Sequence, residues 1–344
     1  MFITMKEFKG YKKGVNFGGW FSQCDHSEIR YDTFIVEDDI RTVSEWGFDH
    51  VRIPVDYELL QNLDGSFKED GFDRLYRAVS LCHKYDLNVI IDLHKTIGFS
   101  FDSNENEAGF FDSEKYQEYF YSLWEKIAKI YGNDDRVAFE LLNEVTDSAY
   151  ADSWNNVAGK AVERIRKYAP STKILFGGCN NNSVSQIKNL AMPFDENTVY
   201  NFHCYNPLIF THQGAYWIDS MDQNFRMKFD TKMSDYQKLS EKYIGYPMEE
   251  QLNDSDAIID VDYFEKLFAE AIEIAEARNA ALYCGEYGVI DLAYPKDALK
   301  WYRCIHEVFE MHNIGRAVWS YKEMDFGIVD KHYDEVRKEL LELL

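Results

Sequence analysis

Two glutamates of this 344-residue chain stand where their side chains could act as a pair. Glu144 follows Asn143 at the end of the apolar run VAFELLNE, and Glu286 ends the run ALYCGE. Both runs are typical of buried β-strands. A protonated carboxyl group can donate to a leaving oxygen, while an ionised one attacks the anomeric carbon of a sugar. The pair therefore suggests glycoside hydrolysis.

Further polar or aromatic side chains lie in or at the ends of other apolar runs. These residues are Arg52 in HVRIP, His94 at the end of NVIIDLH, His203 and Tyr205 after VYNF, and Trp319 in RAVWS. Any one of them alone is more often a structural hydrogen-bonding group than a catalyst. Because they all follow the same pattern, we expect them to converge on one site.

Arg52 and Tyr205 are candidates for tuning the two carboxyl groups. Arginine is always cationic, so it would keep a neighbouring carboxylate ionised, and the tyrosine hydroxyl could donate to the same carboxylate. The alternative is an internal salt bridge without a catalytic role. Glu140 would point into the barrel below Glu144 if the strand is regular, and we interpret it as the structural partner of Arg52.

The tryptophans of the chain could bind sugar, because sugar rings have apolar faces that stack on indole. Trp319 is followed at once by the polar run SYKEMD, so we interpret it as a sugar platform. Trp20, Trp154 and Trp217 could extend a groove, although core packing explains each of them equally well.

Eight β-rich runs alternate with amphipathic helical stretches along the whole chain. The runs begin near Gly14, His50, Asn88, Val137, Ile174, Val199, Ala281 and Arg316. This order predicts an α/β fold, a (β/α)8 TIM barrel formed by residues 1–344 as a single catalytic domain. A doubly wound sheet competes, but GVNFGGW lacks the usual GxGxxG pattern. In a barrel the strand ends meet at one rim, which explains why the polar residues should converge.

The interval between Val199 and Ala281 is longer than the others, and a helix near 262–279 fills only part of it. The remainder, 207–260, predicts a small helical subdomain inserted between strand 6 and helix 6. Its aromatic residues are Phe210, Trp217, Phe225, Phe229, Tyr236, Tyr243 and Tyr246. Because it follows a strand end, we expect it to form a groove wall; the alternative is a packing appendage.

The charge balance narrows the class of partner. Asp and Glu number 60 against 37 Lys and Arg, a formal charge of −23. Such a surface repels nucleic acid and anionic membranes, so we expect neither as a partner and expect a neutral substrate. The start of the chain lacks the apolar core of a signal peptide, which leaves a cytoplasmic location or an extracellular one with the signal removed. The six scattered cysteines predict free thiols, and no metal-ligand spacing is present.

Seven motifs together resemble glycoside hydrolase family 5, in particular the bacterial cellulases with a helical insertion after strand six. They are GVNFGGW, HVRIPVDY, IIDLHK, FELLNEV, NFHCYNP, YCGEYGV and AVWSYKEMDFGI. The resemblance implies retaining chemistry, with Glu144 as acid/base and Glu286 as nucleophile. Many relatives have proline where this chain has Val145, a difference that concerns the loop.

The resemblance also implies roles for the remaining candidates. Asn143 would bind the substrate 2-hydroxyl and His203 would lie near the acid/base. Tyr205 and Arg52 would lie near the nucleophile, and His94 and Trp319 in the subsite of the cleaved sugar. Trp217 is the substrate-binding candidate of the insertion. We expect no cofactor and no metal.

The expected function is endo-acting hydrolysis of β-1,4-glucosidic bonds in cellulose or mixed-linkage β-glucan, by a monomer acting on polysaccharide or oligosaccharide. Mannanase and xyloglucanase activities remain alternatives, because the same catalytic set serves them. A non-catalytic carbohydrate-binding barrel and a metal-dependent barrel hydrolase are alternatives from other classes. The presence of both glutamates disfavours the former and the lack of His-x-His the latter.

Overall fold

A computed structural model describes residues 5–250 and 252–344. Eight parallel strands form a closed barrel in sequence order, which confirms the predicted (β/α)8 fold. The strands are β1 Lys13–Asn16, β2 His50–Asp56, β3 Asn88–Lys95, β4 Val137–Glu140, β5 Ile174–Gly177, β6 Thr198–Cys204, β7 Ala281–Tyr287 and β8 Gly315–Val318. The first and last strands pair through Gly14 and Ala317, which closes the sheet.

Helices surround the barrel and fill the connections between strands. They are α1 Glu28–Thr33, α2 Glu37–Glu45, α3 Tyr57–Leu60, α4 Glu69–Lys84, α5 Glu114–Tyr131, α6 Ala151–Arg166, α7 Cys179–Asn182, α8 Leu208–Thr211, α9 Met233–Tyr243, α10 Val261–Ala277, α11 Pro295–Met311 and α12 Arg337–Leu343. Short 3-10 turns lie at Phe110–Asp112, Ser148–Tyr150, Val184–Asn189 and Lys331–Tyr333. Within the described residues, the helices all fall short of the length and apolar character that a bilayer crossing needs.

The core has two layers because successive side chains of a strand point to opposite faces. Val89 and Ile91 point outward and pack against the helices, whereas Ile90 points into the barrel with Ala138 and Leu175. The next inward positions toward the strand ends carry polar residues. They are Asn16, Arg52, Asp92, Glu140 and Asn201, all buried. The barrel interior is therefore apolar at its base and polar beneath the rim.

Helix α5 shows how the outer ring holds the rim in place. Ser113 caps its N-terminus by accepting from the Tyr116 amide, and its apolar face is buried against the sheet. On that face the Trp124 indole donates to the Leu141 carbonyl at 3.0 Å. This bond fixes the segment after β4, which carries Asn143 and Glu144.

The insertion between β6 and α10 contains α8 and α9, so a helical insertion is present where it was predicted. Phe210, Phe229 and Tyr236 are buried within it. The Trp301 indole of α11 donates to the Asn206 carbonyl at 2.9 Å and anchors the start of the segment. Of the predicted range 207–260, Gln251 lies outside the described residues.

Strand β4 is shorter than predicted, since it ends at Glu140. Leu141 still donates to the Leu175 carbonyl at 3.2 Å and Asn143 to Leu93 at 3.0 Å, so the chain follows the sheet a little further. It then turns at Glu144, whose φ of 37° is left-handed. The strict alternation expected from Glu140 to Glu144 does not hold, because the turn redirects the second side chain.

Candidate active site

A cavity of about 840 Å³ opens at the carboxyl ends of the strands and brings the predicted site residues together. Its lining includes Asn143, Glu144, Glu286, His94, His203, Tyr205, Trp217 and Trp319. Arg52 lies beneath this lining, fully buried. All nine predicted residues therefore belong to one region, although they come from six strands or strand ends and from the insertion.

The two glutamates face each other across this cavity. Ligand oxygens of Glu144 and Glu286 lie within 4.8 Å of one another and of a His203 ring nitrogen. This spacing fits the carboxyl separation of about 5–5.5 Å in retaining glycosidases and is shorter than the ~6.5–9.5 Å of inverting ones. His203 Nδ1 lies 2.7 Å from Glu144 Oε1 and 3.6 Å from Glu286 Oε2.

Glu286 is the member of the pair that contacts a fixed positive charge. Arg52 Nη1 donates to its Oε1 at 2.7 Å and the Tyr205 hydroxyl to its Oε2 at 2.9 Å. Burial raises the pKa of the Glu286 carboxyl group, while the positive charge of Arg52 opposes that rise. Burial therefore outweighs the ionising effect expected of Arg52, and the pKa of Glu286 lies above its usual value.

Arg52 is held rigidly by the polar layer below the rim. Its Nε and Nη2 donate to the two oxygens of Glu140 at 2.7 and 2.8 Å, a bidentate pair. Nη1 also donates to Asn16 at 2.9 Å, and Nη2 donates to Asn143 at the same distance. Glu140 therefore lies where a structural partner of Arg52 should, and the guanidinium can present Nη1 to Glu286 in one orientation.

Glu144 has a different environment. Burial raises the pKa of its carboxyl group, whereas a hydrogen bond from Asn181 Nδ2 at 3.1 Å lowers it. Burial also lowers the pKa of His203 to about 4, so this imidazole is neutral near pH 7. The Asn182 amide lies 3.3 Å from His203 Nε2, which leaves Nδ1–H to donate to Glu144.

His94 and Trp319 form the floor of the cavity. Their rings are nearly parallel, at 3° and 5.9 Å between centroids. Asp92 Oδ2 lies 2.6 Å from His94 Nδ1, so Nε2 is left to serve another partner. Trp319 is only 6 % exposed and packs on Phe326, yet it also lines the cavity. It is at once a core residue and a wall of the site.

Of the three other tryptophans considered as groove residues, one lines the cavity and two lie in the core. Trp217 lines the cavity, is 40 % exposed and lies against His212 and Phe326. Trp20 and Trp154 are buried, and their indoles donate to the Tyr31 and Gly177 carbonyls. These two belong to the core, so the packing interpretation is the correct one for them.

Several site residues were not predicted. Asn181 and Asp92 contact Glu144 and His94, and Phe326 supports Trp319. The polar run CNNNS directly after a strand could have revealed Asn181, and the D-x-H spacing could have revealed Asp92. Phe326 lies in the loop after β8, within the motif AVWSYKEMDFGI, but no local pattern marks its role.

Among the described residues, two groups of side chains have ligand atoms close enough to hold a metal ion. One is Glu144, His203 and Glu286, the other His26, Asp56 and Glu58. In the second group Lys95 Nζ lies 2.6 Å from Glu58 Oε1, so an ammonium already supplies positive charge there. In the first group a cation would compete with the proton that an acid needs. The expectation of a site without metal remains a prediction.

A (β/α)8 barrel with two facing glutamates at its strand-end rim defines the class of barrel glycoside hydrolases. The family model described as Cellulase (glycosyl hydrolase family 5) matches residues 10–325. The chain therefore belongs to glycosyl hydrolase family 5, as its motifs predicted.

Individual relatives agree with this assignment. The chain is 49 % identical over 313 residues to Cellodextrinase A of Ruminococcus flavefaciens, covering 91 % of this chain and 86 % of that protein. It is 38 % identical over 339 residues to Endoglucanase C of Acetivibrio thermocellus, covering 97 % and 98 %. Endoglucanase Cel5A of Thermotoga maritima shares the fold, with a TM-score of 0.77, 24 % identity and coverage of 97 % and 96 %.

Proposed function

We propose that this protein is a retaining endo-β-1,4-glucanase that hydrolyses cellulose-type or mixed-linkage β-glucan by double displacement. The observation that carries the proposal is the approach of Glu144 and Glu286 oxygens to within 4.8 Å, with Arg52 touching only the second. The relatives named a cellodextrinase and endoglucanases support the substrate class. The site residues all come from one chain, so we propose that a monomer suffices for activity.

In the first step Glu286 attacks the anomeric carbon while Glu144 gives its proton to the departing oxygen. Two buried carboxyl groups this close favour sharing one proton. Because Arg52 and Tyr205 donate to Glu286, the proton is favoured on Glu144. The bond from C1 to the leaving oxygen breaks and an ester to Glu286 forms. In the second step Glu144 removes a proton from water, which attacks C1 and releases the ester.

The surrounding side chains position the reacting sugar. We assign Asn143 to its 2-hydroxyl, because Arg52 Nη2 donates to the Asn143 Oδ1 and leaves the buried Nδ2 without a partner among the described residues. We assign His94 Nε2 and the Trp319 ring to the same sugar, because both residues line the cavity. Trp217 provides an aromatic wall from the insertion.

We also propose that residues 207–260 form a subdomain that makes one wall of an open groove. Such a groove suits endo cleavage, because it binds several sugars of the chain at once.

A substrate panel tests this proposal. We expect new reducing ends from carboxymethyl-cellulose and mixed-linkage glucan, the same rates with and without a chelator, and a β-anomer as the first product by NMR. Activity on mannan or xyloglucan without activity on either glucan would show that the protein is a mannanase or a xyloglucanase instead. An α-anomer as first product would rule out the retaining mechanism, and rates abolished by the chelator would rule out metal-free catalysis.

The Tyr205→Phe variant should shift one limb of the pH profile. The tyrosine hydroxyl stabilises ionised Glu286, so its loss raises the pKa of that carboxyl group. The acidic limb of kcat/KM should then move upward in pH, by up to about one unit, while the alkaline limb set by Glu144 stays in place. A shift confined to the alkaline limb, measured with a cello-oligosaccharide whose leaving sugar needs a proton, would show that Tyr205 acts on the other carboxyl group.

A further inference from the structure

Asp92 of β3 is a buried carboxyl group that contacts two residues of the proposed site without lining the cavity itself. Its Oδ2 lies 2.6 Å from His94 Nδ1 and 3.0 Å from Arg52 Nη2. Its other oxygen, Oδ1, is buried and has no hydrogen-bond partner among the described residues. Any effect of Asp92 on the reaction therefore passes through His94 or Arg52.

Arg52 supplies Asp92 with a positive charge and no hydrogen bond. The Nη2 group of Arg52 donates its protons elsewhere, to Glu140 Oε1 at 2.8 Å and to Asn143 Oδ1 at 2.9 Å. Burial raises the pKa of Asp92 to about 7 and Arg52 opposes that rise, so the carboxyl group is ionised in alkaline solution. An ionised carboxyl group only accepts hydrogen bonds. The short contact with His94 therefore requires a proton on Nδ1 of the imidazole.

The neutral imidazole of His94 has one proton, so its position decides what the second nitrogen can do. Burial lowers the pKa of His94, which keeps the ring neutral. With the proton on Nδ1, Nε2 is an acceptor. Nε2 has no partner among the described residues and, unlike Asp92 Oδ1, keeps accessible surface. Because His94 lines the cavity, a bound sugar can reach this acceptor.

We propose that Asp92 is a positioning residue that keeps the proton of His94 on Nδ1, so that Nε2 accepts a hydrogen bond from a hydroxyl group of the reacting sugar. The arrangement has a consequence for specificity. An acceptor needs a donor opposite it, so a free hydroxyl group binds, whereas a methyl ether, an ester or a fluorine at the same carbon loses the bond. This inference rests on the proposed function.

Two hydroxyl groups of the reacting glucose are available to His94 Nε2. In a cellobioside the 4-oxygen of this ring is linked to the other sugar, C1 carries the leaving group, and the 2-hydroxyl is assigned to Asn143. The 3- and 6-hydroxyls remain. Fluorine at either position is close in size to a hydroxyl group but cannot donate a hydrogen bond. Fluorinated substrates therefore report whether Nε2 accepts or donates.

The ring nitrogens of His94 give a direct measurement on the unmodified protein. With nitrogen-15-labelled histidine at about pH 9, above the pKa of Asp92, we expect the NMR shift of a protonated nitrogen for Nδ1 and that of an unprotonated one for Nε2. The His94→Gln variant identifies these signals by their loss. A proton on Nε2 in the unmodified protein would overturn the inference.

The Asp92→Leu variant removes the acceptor. Nδ1–H would then be a buried donor without a partner, so the proton should move to Nε2, which reaches water in the cavity. The substrates are 2,4-dinitrophenyl β-cellobioside and its 3- and 6-fluoro analogues on the reacting ring. At one of the two positions, the loss of kcat/KM caused by fluorine should be about 3- to 10-fold smaller in the variant, a change typical of one hydrogen bond. The effect of fluorine on the reactivity of C1 is the same in both proteins and cancels.

Two further variants serve as controls. In Asp92→Asn the amide oxygen should take the place of Oδ2, because Arg52 favours an oxygen there, and it can still accept from Nδ1–H. We therefore expect this variant to keep the proton on Nδ1 and the fluorine effect. Asp49→Leu is the matched control, because Asp49 Oδ1 also lies 2.6 Å from a histidine Nδ1, that of His50, but outside the cavity. It should leave the fluorine effects unchanged.

A merely structural role of Asp92 would lower kcat/KM on all three substrates by the same factor. Equal fluorine effects in the unmodified protein and Asp92→Leu at both positions, or the same protonated nitrogen in both, would overturn the inference. If Asp92→Leu fails to fold, the His94 signals of the unmodified protein decide the question. Failure of the proposed function looks different, because the unmodified protein would then not turn over the aryl cellobioside, while the NMR signals would still locate the proton.

Discussion

Replacing Glu286 by glutamine is expected to lower kcat on β-glucan and on aryl cellobiosides alike, by about 10⁴-fold or more. The amide is a poor nucleophile, and no ester to the sugar can form. The carbonyl oxygen can still accept from Arg52, which donates to Glu286 Oε1 at 2.7 Å, so the fold should persist. Initial rates on both substrates, with circular dichroism to verify folding, measure the effect.

Glu286→Ala extends this test by separating the nucleophile from other essential carboxylates. Azide in place of the missing side chain should attack C1 from the face that Glu286 used and give an α-glycosyl azide. Glu118→Ala is a suitable control, since this exposed glutamate pairs with Arg164 on the surface. A β-glycosyl azide, or residual activity above a few per cent in Glu286→Gln, would contradict the nucleophile assignment.

The location of the candidate site residues could be predicted from the sequence, because the strand ends of a closed barrel lie at one rim. Arg52 lies in an apolar run, and His203 and Glu286 end two others; the topology of a barrel places such residues around one rim. Which of these residues lie next to one another was implied by the family resemblance and not by the strand pattern. The strand pattern also predicted the position of the insertion, because only one interval between strands was too long for a single helix.

The residues that escaped prediction depend on contacts between segments far apart in the chain. Glu249 meets Ser183 and Asn206 through folding of the insertion onto the rim. Tyr263 lies in the first turn of α10, where an apolar helix face explains an aromatic residue, yet its buried hydroxyl group has no partner among the described residues. Local sequence patterns predict which side chains are buried and which secondary structure they form. They do not predict which buried hydroxyl group lacks a hydrogen-bond partner.

The short β4 strand shows a second limit. Period-2 alternation from Ala138 would place Glu140 and Glu144 on one line, but the left-handed φ of Glu144 breaks that line. Non-glycine residues adopt this conformation at a cost, which the contacts of the side chain with His203 and Asn181 help to offset. A functional position thus departs from the regular pattern that sequence reasoning assumes.

Removal of the acid/base should have a different signature from removal of the nucleophile. In Glu144→Ala the departing sugar oxygen of a glucan leaves without a proton, so kcat/KM on glucan should fall about 10²- to 10⁴-fold. Dinitrophenolate is a good leaving group that needs no proton, so the ester to Glu286 should still form quickly from the aryl cellobioside. Its hydrolysis then becomes slow, because no base activates water.

This change of rate-limiting step can be measured directly. Rapid mixing of Glu144→Ala with the dinitrophenyl substrate should give a burst of phenolate equal to the enzyme concentration, with a lowered KM. Azide, which needs no base, should speed turnover and give a β-glycosyl azide by attack on the ester. The alkaline limb of kcat/KM, which reports the proton on Glu144, should vanish for this substrate. Equal losses on glucan and aryl glycoside, without a burst, would mean that Glu144 holds the fold or the substrate and transfers no proton.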